Sequence, residues 1–204
     1  MSTLYVACIA DATASRLLPP RARSRLQAAI RAALPELNRR YRHALAARFA
    51  VTLGDELECL LTSAAAVWDI AHDIRARFPA VPWVVACGRG PISTPLARTA
   101  PEVDGPCFHA ARAAMERAKR HRLVFAFGGF PPGLEPLASY YSALYWSWTP
   151  RQRLAATLLR LGSAAAAAAR LKVDRSAISH LARRTAWPLV AAGDKMFRAL
   201  LETS

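Results

Sequence analysis

The stretch from Phe49 to Leu61, FAVTLGDELECLL, decides the fold. Two apolar, β-prone runs flank Gly54, Asp55 and Glu56, which is the pattern of two strands joined by a tight turn. The stretch therefore predicts a buried β-hairpin with two acidic residues at its tip. Carboxylates at the end of a buried hairpin are suitable ligands for a divalent metal ion, so the hairpin also raises the question of a metal site.

The segments on either side of the hairpin predict a mixed α+β fold. Apolar β-prone runs predict strands at 4–10, 83–90 and 122–129, and apolar residues at helical spacing predict helices over 21–45, 64–78 and 107–121. The predicted order is β-α-β-β-α-β-α-β, and its first six elements match the ferredoxin-like βαββαβ pattern. In that fold the first strand lies beside the hairpin, and we expect the helices on one face of the sheet.

A change of composition after Phe130 divides the chain. The predicted units are a ferredoxin-like domain over 1–130, an aromatic connecting helix over 131–150 and a helix-turn-helix domain over 151–204. The connecting segment begins with a Pro- and Gly-rich breaker and holds five Tyr and Trp residues between 140 and 148. We expect these rings to pack the two domains together.

The composition favours a cytoplasmic, globular protein with a polyanionic partner. The chain has 204 residues, 53% of them apolar, and a formal net charge of +14. No apolar run is long enough to span a membrane, and MSTLYVACIADAT at the start resembles a first strand more than a signal peptide. The four cysteines form no CxxC pair, so we expect buried thiols and no zinc site. Residues 151–204 carry ten Lys or Arg and three Asp or Glu, which concentrates positive charge in the C-terminal third.

The segment SAAAAAARLKVDRSAISHLARRTAW, residues 163–187, predicts a helix-turn-helix. Ala164 to Leu171 forms the first helix, the turn follows at Lys172, and Arg175 to Thr185 forms the second. Ala168 would allow close approach of the helices, and Ile178 would fill the small core. Lys172 stands where such turns usually carry Gly. The alternative is a plain three-helix subdomain with a solvated basic face.

Six positions of the second helix point outward and have side chains of the types that reach bases and phosphates. The residues predicted to bind DNA are Arg175, Ser176, Ser179, His180, Arg183 and Arg184. Modules of this kind often act as dimers, so a homodimer is a further expectation.

Asp11 and Asp55 are the predicted metal ligands. Asp11 ends the first strand and Asp55 lies at the hairpin tip, and these two places are neighbours in a ferredoxin-like sheet. Two carboxylates there would suit Mg²⁺ or Mn²⁺ together with a nucleotide phosphate. The alternative is that the acids only cap the turn and pair with Arg16 or Arg89.

Four segments, in order, resemble the SatD family of small bacterial proteins. They are ADATASR, TLGDELE, CGRGPIST and DGPCFHAARAAMERAK, and the resemblance spans about residues 4–125. It implies a regulatory protein that is often followed by a helix-turn-helix tail.

The same segments more distantly resemble class III nucleotidyl cyclases and GGDEF-type domains. That resemblance implies two metal ions bound by Asp11 and Asp55, a catalytic role for Arg112 on the phosphates, and a Gly pair at Gly88 and Gly90. The residues assigned to cofactor binding are Arg16, Gly54, Glu56, Gly88, Gly90 and His109.

The pattern departs from both enzyme classes at several positions. Leu53 replaces the first Gly of GGDEF domains, Phe108 replaces a cyclase Asn, and no second acid follows Asp11 at the GGDEF spacing. Three functions stay open: a DNA-binding regulator that senses a metal-nucleotide, a divergent nucleotidyl cyclase or transferase, and a non-catalytic interaction module. Away from the predicted pocket, His43, His72 and His121 are predicted to be solvated.

Overall fold

The architecture is a five-stranded sheet with helices on both faces and a group of helices at the C-terminal end. The structure is a computed structural model and describes residues 3–52 and 54–204. Leu53, where the hairpin departs from GGDEF domains, lies outside them. The strands are β1 (Tyr5–Ala12), β2 (Leu45–Val51), β3 (Glu56–Leu61), β4 (Trp83–Gly90) and β5 (Phe125–Gly128). The helices are α1 (Pro20–Arg40), α2 (Val67–Arg77), α3 (Pro106–His121), α4 (Leu134–Ser147), α5 (Pro150–Leu161), α6 (Ala164–Leu171), α7 (Arg175–Arg184) and α8 (Trp187–Glu202).

The predicted order of the first eight elements is confirmed. The strands lie in the order β2-β3-β1-β4-β5, and β1 pairs antiparallel with both β3 and β4. Strands β2 and β3 form the predicted antiparallel hairpin, and β5 is added parallel to β4. The hairpin is therefore beside the central strand.

The expectation that the helices cover one face of the sheet is wrong. Helices α1 and α2 pack on the face that presents Val6, Cys8 and Ala10, but α3 packs on the opposite face, against Ala7 and Ile9. The reason lies in the connection from β4 to β5. Parallel neighbours need a crossover connection, which usually contains a helix. Here that helix is α3, and it covers the face that α1 and α2 leave open.

Glycines let α3 lie close to the sheet. A Cβ atom on Gly88 would fall 2.0 Å from the carbonyl oxygen of Cys107 and 2.2 Å from the amide nitrogen of Ala111. At Gly90 it would fall 3.1 Å from the amide nitrogen of Cys107. Because the obstructing atoms belong to the helix backbone, these contacts explain why β4 carries glycine at both places.

The C-terminal helices share the main core of the sheet. Phe197 and Leu201 of α8 are buried in the same apolar cluster as Trp68 of α2 and Phe125 of β5. Tyr141 of α4 stacks edge-on to Trp68, with ring centroids 5.5 Å apart. The predicted domain boundaries stay predictions, but the sheet and α8 are joined by a continuous core.

A charged contact also joins the two parts of the chain. The Arg160 side chain of α5 is 4% exposed, and its Nε donates to Oδ2 of Asp194 on α8 at 2.7 Å. The guanidinium lies 5.8 Å from the ring centroid of Trp68 and 5.4 Å from that of Tyr141. Arg160 thus connects α5 and α8 to α2 and α4.

The prediction that His72 is solvated is wrong, because the residue is buried. Its side chain is enclosed by Trp68, Phe125 and Tyr141, and neither ring nitrogen has a hydrogen-bond partner among the described residues. Burial lowers the pKa of His72 well below its usual value, and the nearby guanidinium of Arg160 lowers the pKa further.

All four cysteines are buried and free, as predicted. In the described part of the chain, no helix has the length and apolar character needed to cross a lipid bilayer.

Candidate functional site

The chain positions predicted for a metal site come together at one end of the sheet. Asp11 is directly opposite Glu56 in the antiparallel register of β1 and β3, and Asp55 precedes Glu56. The amide of Ala12 donates to the carbonyl of Asp55 at 3.4 Å, which ties the end of β1 to the hairpin tip. We call Asp11, Asp55, Glu56 and Glu58 the sheet-end cluster.

The carboxylates of Asp11 and Asp55 have separate partners. Lys119 of α3 donates from Nζ to Oδ2 of Asp11 at 2.8 Å. Ser15, in a short 3₁₀ turn between β1 and α1, donates from its hydroxyl to Asp55. Within residues 3–52 and 54–204, no ion pair joins Asp11 or Asp55 to Arg16 or Arg89. The prediction that these acids pair with Arg16 or Arg89 is therefore wrong.

The carboxylates at the end of the sheet have partners within the fold. Asp11 is neutralised by Lys119, and Glu56 accepts a hydrogen bond of 2.7 Å from the Thr52 hydroxyl. In the described residues, no three His, Cys, Asp or Glu side chains converge as a metal-binding group. Because Mg²⁺ can be held by one or two carboxylates together with waters and phosphate oxygens, the metal site at Asp11 and Asp55 stays a prediction.

The predicted catalytic arginine, Arg112, is paired with an acid that the prediction did not include. Its Nη2 lies 3.3 Å from Oε1 of Glu58, whose side chain is only 1% exposed. Oε2 of Glu58 has no hydrogen-bond partner among the described residues. Burial raises the pKa of Glu58, Arg112 opposes that rise, and Glu56 adds to it.

A sequence signal for Glu58 does exist. In ELECLL, Glu58 follows Glu56 by two residues, so both lie on the same face of β3. An acid inside an apolar strand is an unusual buried group that requires a partner. The prediction concentrated on the hairpin tip and did not extend this alternation into the strand.

The other residues that were predicted to bind a cofactor lie in different parts of the fold. Gly88 and Gly90 are buried beneath α3, and Arg16 is exposed in the 3₁₀ turn. Gly54 has a φ of +73°, the left-handed conformation that glycine favours in tight turns. His109 is exposed in the first turn of α3, with Nε2 3.4 Å from Oδ1 of Asp104. These five residues therefore lie in different surroundings.

Helices α6 and α7 are joined by the tight turn that the sequence predicts. Lys172 ends α6 with φ 52° and ψ 50°, so a lysine occupies the left-handed position where such turns usually carry glycine. The amide of Val173 donates back to the carbonyl of Ala168 at 3.1 Å and closes the turn. Ala167, Ala168 and Ile178 form a small buried cluster that holds the two helices together.

The outer surface of α7 presents all six residues predicted to contact DNA. We call this surface the α7 face. It comprises the exposed residues Arg175, Ser176, Ser179, His180, Arg183 and Arg184. Ile178 on the opposite side is buried, so α7 has one apolar side and one polar side, as the sequence pattern predicts. None of the ion pairs among the described residues involves an arginine of this face.

Comparison with solved structures gives distant matches. The solved structure of a bacterial light-regulated adenylyl cyclase aligns with a TM-score of 0.43 and 11% sequence identity. The alignment covers 62% of this chain and 43% of the cyclase chain. Similarity at this level assigns neither a fold nor an activity.

The family assignment comes from the sequence itself. No curated protein matches the chain significantly. The model of the SatD family matches residues 5–122, which include β1 to β4, α1 to α3 and the sheet-end cluster. That match covers more than half of the 204 residues. The chain belongs to the SatD family.

Proposed function

We propose that this SatD-family protein binds duplex DNA through α7. The observation that carries the proposal is the α7 face, where basic and small polar side chains are exposed on a helix fixed by a tight turn to α6. A ten-residue helix is about 15 Å long, which suits insertion into the major groove. The α7 face is directed away from the small core around Ile178.

The distribution of basic residues supports the proposal. Arg160 and Arg198 are paired with Asp194 and Asp69, and the guanidinium of Arg153 lies 5.1 Å from the ring centroid of Trp146. These three arginines have structural partners within the fold. The arginines of the α7 face have no acidic partner among the described residues, so their charge is free to meet phosphates.

Residues at the two ends of α7 would make different kinds of contact with DNA. In helix-turn-helix complexes the N-terminal residues of the second helix approach base edges. Arg175 and Ser179 belong to the first half of α7, and His180 follows on the same surface, so we assign them to base contacts. Arg183 and Arg184 end the helix and are assigned to phosphates.

A homodimer would place two α7 faces on one duplex. Tyr140 of α4 and Leu189 and Met196 of α8 are large apolar side chains that face solvent. Exposed apolar groups of this size are typical of surfaces that associate. We assign this surface to a second copy of the chain, and sedimentation velocity would measure the expected dimer.

The sheet-end cluster does not extend the proposal to a metal-nucleotide or to cyclase chemistry. Lys119 and Ser15 engage Asp11 and Asp55, and Glu58 engages Arg112. These contacts within the fold would compete with a metal ion or a phosphate for the same groups. The interaction-module hypothesis is the alternative that the DNA experiment decides.

The test is fluorescence anisotropy of the full chain with a labelled random-sequence duplex at low salt. The full chain is needed because Phe197 and Leu201 anchor the C-terminal helices in the core of the sheet. We expect binding that weakens steeply with salt. Arg183→Ala and Arg184→Ala should each weaken binding to all sequences and lower the salt slope by about one.

Substitutions for base contacts should change sequence preference instead. Arg175→Ala, Ser179→Ala and His180→Ala should alter which duplexes are selected from a random pool. The matched control is Arg31→Ala, which removes one exposed charge from α1 on the sheet side. Absence of binding at low salt, or an equal loss in the Arg31→Ala and Arg183→Ala variants, would leave only the interaction module.

A further inference from the structure

A small cavity lies where the sheet meets the C-terminal helices. Its volume is about 150 Å³. Arg75 of α2 and Pro82, just before β4, line one side, and Tyr145 of α4 with Pro150, Arg153 and Thr157 of α5 line the other. None of the residues that line the cavity is acidic. The cavity shares no residue with the α7 face.

Arg75 is a buried cation without a counter-ion. It is 5% exposed, and its Nη2 donates to the carbonyls of Val124 at 2.9 Å and Trp83 at 3.2 Å. Its Nε and Nη1 have no hydrogen-bond partner among the described residues. Burying a guanidinium with two unused nitrogens is unfavourable unless an anion or another acceptor joins it.

The aromatic rings beside Arg75 hold its guanidinium in place. The guanidinium carbon lies 4.5 Å from the ring centroid of Phe125 and 5.4 Å from that of Tyr145. Stacking on both rings and bonding to two carbonyls fixes the plane of the group. A preorganised fork of this kind matches the oxygens of a phosphate or carboxylate group.

Arg153 provides a second guanidinium from the first turn of α5. It lies 5.1 Å from the ring centroid of Tyr145, so one tyrosine contacts both arginines of the cavity. Nη1 of Arg153 is buried and has no hydrogen-bond partner among the described residues. The N-terminal end of a helix carries partial positive charge, and Pro150 and Arg153 place that end of α5 at the cavity.

We propose that this cavity binds a small oxyanion of the phosphate class, either inorganic phosphate or the phosphate group of a small metabolite. The observation that carries the proposal is the pair Arg75 and Arg153, two arginines that line one cavity in which no lining residue is acidic. A volume of about 150 Å³ accommodates a small oxyanion.

The proposal is independent of DNA binding and adds a ligand to the fold. The site joins residues of α2 to residues of α5, so an occupying anion would bridge the sheet and the C-terminal helices. A ligand that binds the folded state alone raises the melting temperature progressively with the logarithm of its concentration above Kd. Phosphate should therefore stabilise the full chain.

The experiment titrates the full chain with inorganic phosphate, and with chloride at equal ionic strength, by thermal shift and isothermal calorimetry. We expect saturable stabilisation by phosphate only. Arg153→Met should weaken phosphate binding about tenfold or more, because a charged hydrogen-bond donor is lost. The matched control is Arg151→Met, which removes an exposed arginine from the same turn of α5 outside the cavity and should bind phosphate as the wild type does.

Two further measurements test where the anion binds and whether it is free phosphate or part of a metabolite. The double variant Arg183→Ala/Arg184→Ala should keep its phosphate response, since its charges belong to the α7 face. Glycerol 3-phosphate as a second probe distinguishes a metabolite from free phosphate by binding more tightly. The proposal is wrong if phosphate and chloride act alike, if Arg153→Met binds phosphate as tightly as Arg151→Met does, or if the double variant loses the response. Arg75→Lys is a second probe of the cavity that retains the positive charge.

Discussion

The buried carboxyl group of Glu58 has a direct consequence for pH dependence. Burial raises the pKa of Glu58 above its ordinary value, so the folded protein holds this proton more tightly than the unfolded chain does. Between the ordinary and the raised pKa, the folded state binds more protons, and stability therefore falls as pH rises. Above the raised pKa, Glu58 is charged in the folded protein, and the burial of that charge lowers the stability by its full amount.

Glu58→Gln removes that charge with little change of shape. We expect the melting temperature of the variant, relative to wild type, to increase as pH rises from 4 to 8. A gain of about 1 kcal/mol corresponds to ~2–4 °C for a chain of this size. Thermal melts across this pH range measure it, and Glu116→Gln on the exposed side of α3 is the control. A difference that is constant with pH would show that Glu58 does not titrate as its burial implies.

His72 gives the opposite pH dependence. Its lowered pKa keeps the folded ring neutral, while the unfolded ring takes a proton below about pH 6.5. Stability from this residue is therefore lost as pH falls below the unfolded value. His72→Phe should be at least as stable as wild type at pH 7, because neither ring nitrogen has a partner to lose.

The advantage of His72→Phe should grow on acidification to roughly 2 kcal/mol at pH 5. Urea unfolding at pH 5, 6 and 7 measures this change. The exposed His43 provides the control, and His43→Phe should show no such trend. If both variants follow wild type at every pH, the buried histidine is not the source of the acid sensitivity.

At the scale of elements, the packing of α3 on β4 leaves no room for a methyl group at Gly88. Gly88→Ala would place Cβ within 2.2 Å of two backbone atoms of α3, so the helix itself would have to move. We expect a loss of at least ~2–3 kcal/mol. Gly133→Ala is the control, since nothing lies within 4 Å of the added atom, and it should stay within about 0.5 kcal/mol of wild type.

Denaturant unfolding of both variants gives the comparison. A stable Gly88→Ala variant would mean that β4 and α3 are not in close contact. Its glycines would then need another explanation, such as the cofactor role assigned from the sequence.

The elements that sequence predicts well are those whose pattern is decided locally. The helix α3 and the hairpin β2-β3 have strong apolar periodicity within their own residues, and their positions are confirmed. Similarly, the exposure of the α7 face follows from the amphipathic pattern around Ile178. In each case the apolar periodicity lies within the element's own residues.

Features that depend on distant segments were not predicted. Helix α2 is buried on nearly all sides, because α5 and α8 cover the surface that its sequence pattern leaves to solvent. His72 and Arg75 are enclosed for this reason, although each is polar. Likewise, the lysine that neutralises Asp11 comes from position 119, and no local pattern links the two.

At the scale of the whole molecule, the pair of Arg160 and Asp194 connects the helices to the sheet. Arg160→Met would leave the carboxylate of Asp194 nearly buried without its partner, at a cost of about 3–5 kcal/mol. The double variant Arg160→Met/Asp194→Asn removes both charges and should recover part of that loss. Equilibrium unfolding of the single and double variants measures the coupling.

An equal loss in the single and double variants would show that the pair does not act as a unit. We also expect one unfolding transition for the sheet and the helices together, because Phe197 and Trp68 belong to the same core. Tryptophan fluorescence and far-UV circular dichroism should give coincident curves.

Phe197 and Leu201 follow all five strands along the chain, and this order has a consequence for synthesis. The residues that complete the core of the sheet are translated after β1 to β5. Until α8 has been made, the surface that receives it is open to water, including the rings of Trp68 and Phe125. A chain truncated before α8 would keep that surface exposed, which makes it a substrate for chaperones and proteases. Folding of the sheet is therefore complete only after α8 has been synthesised.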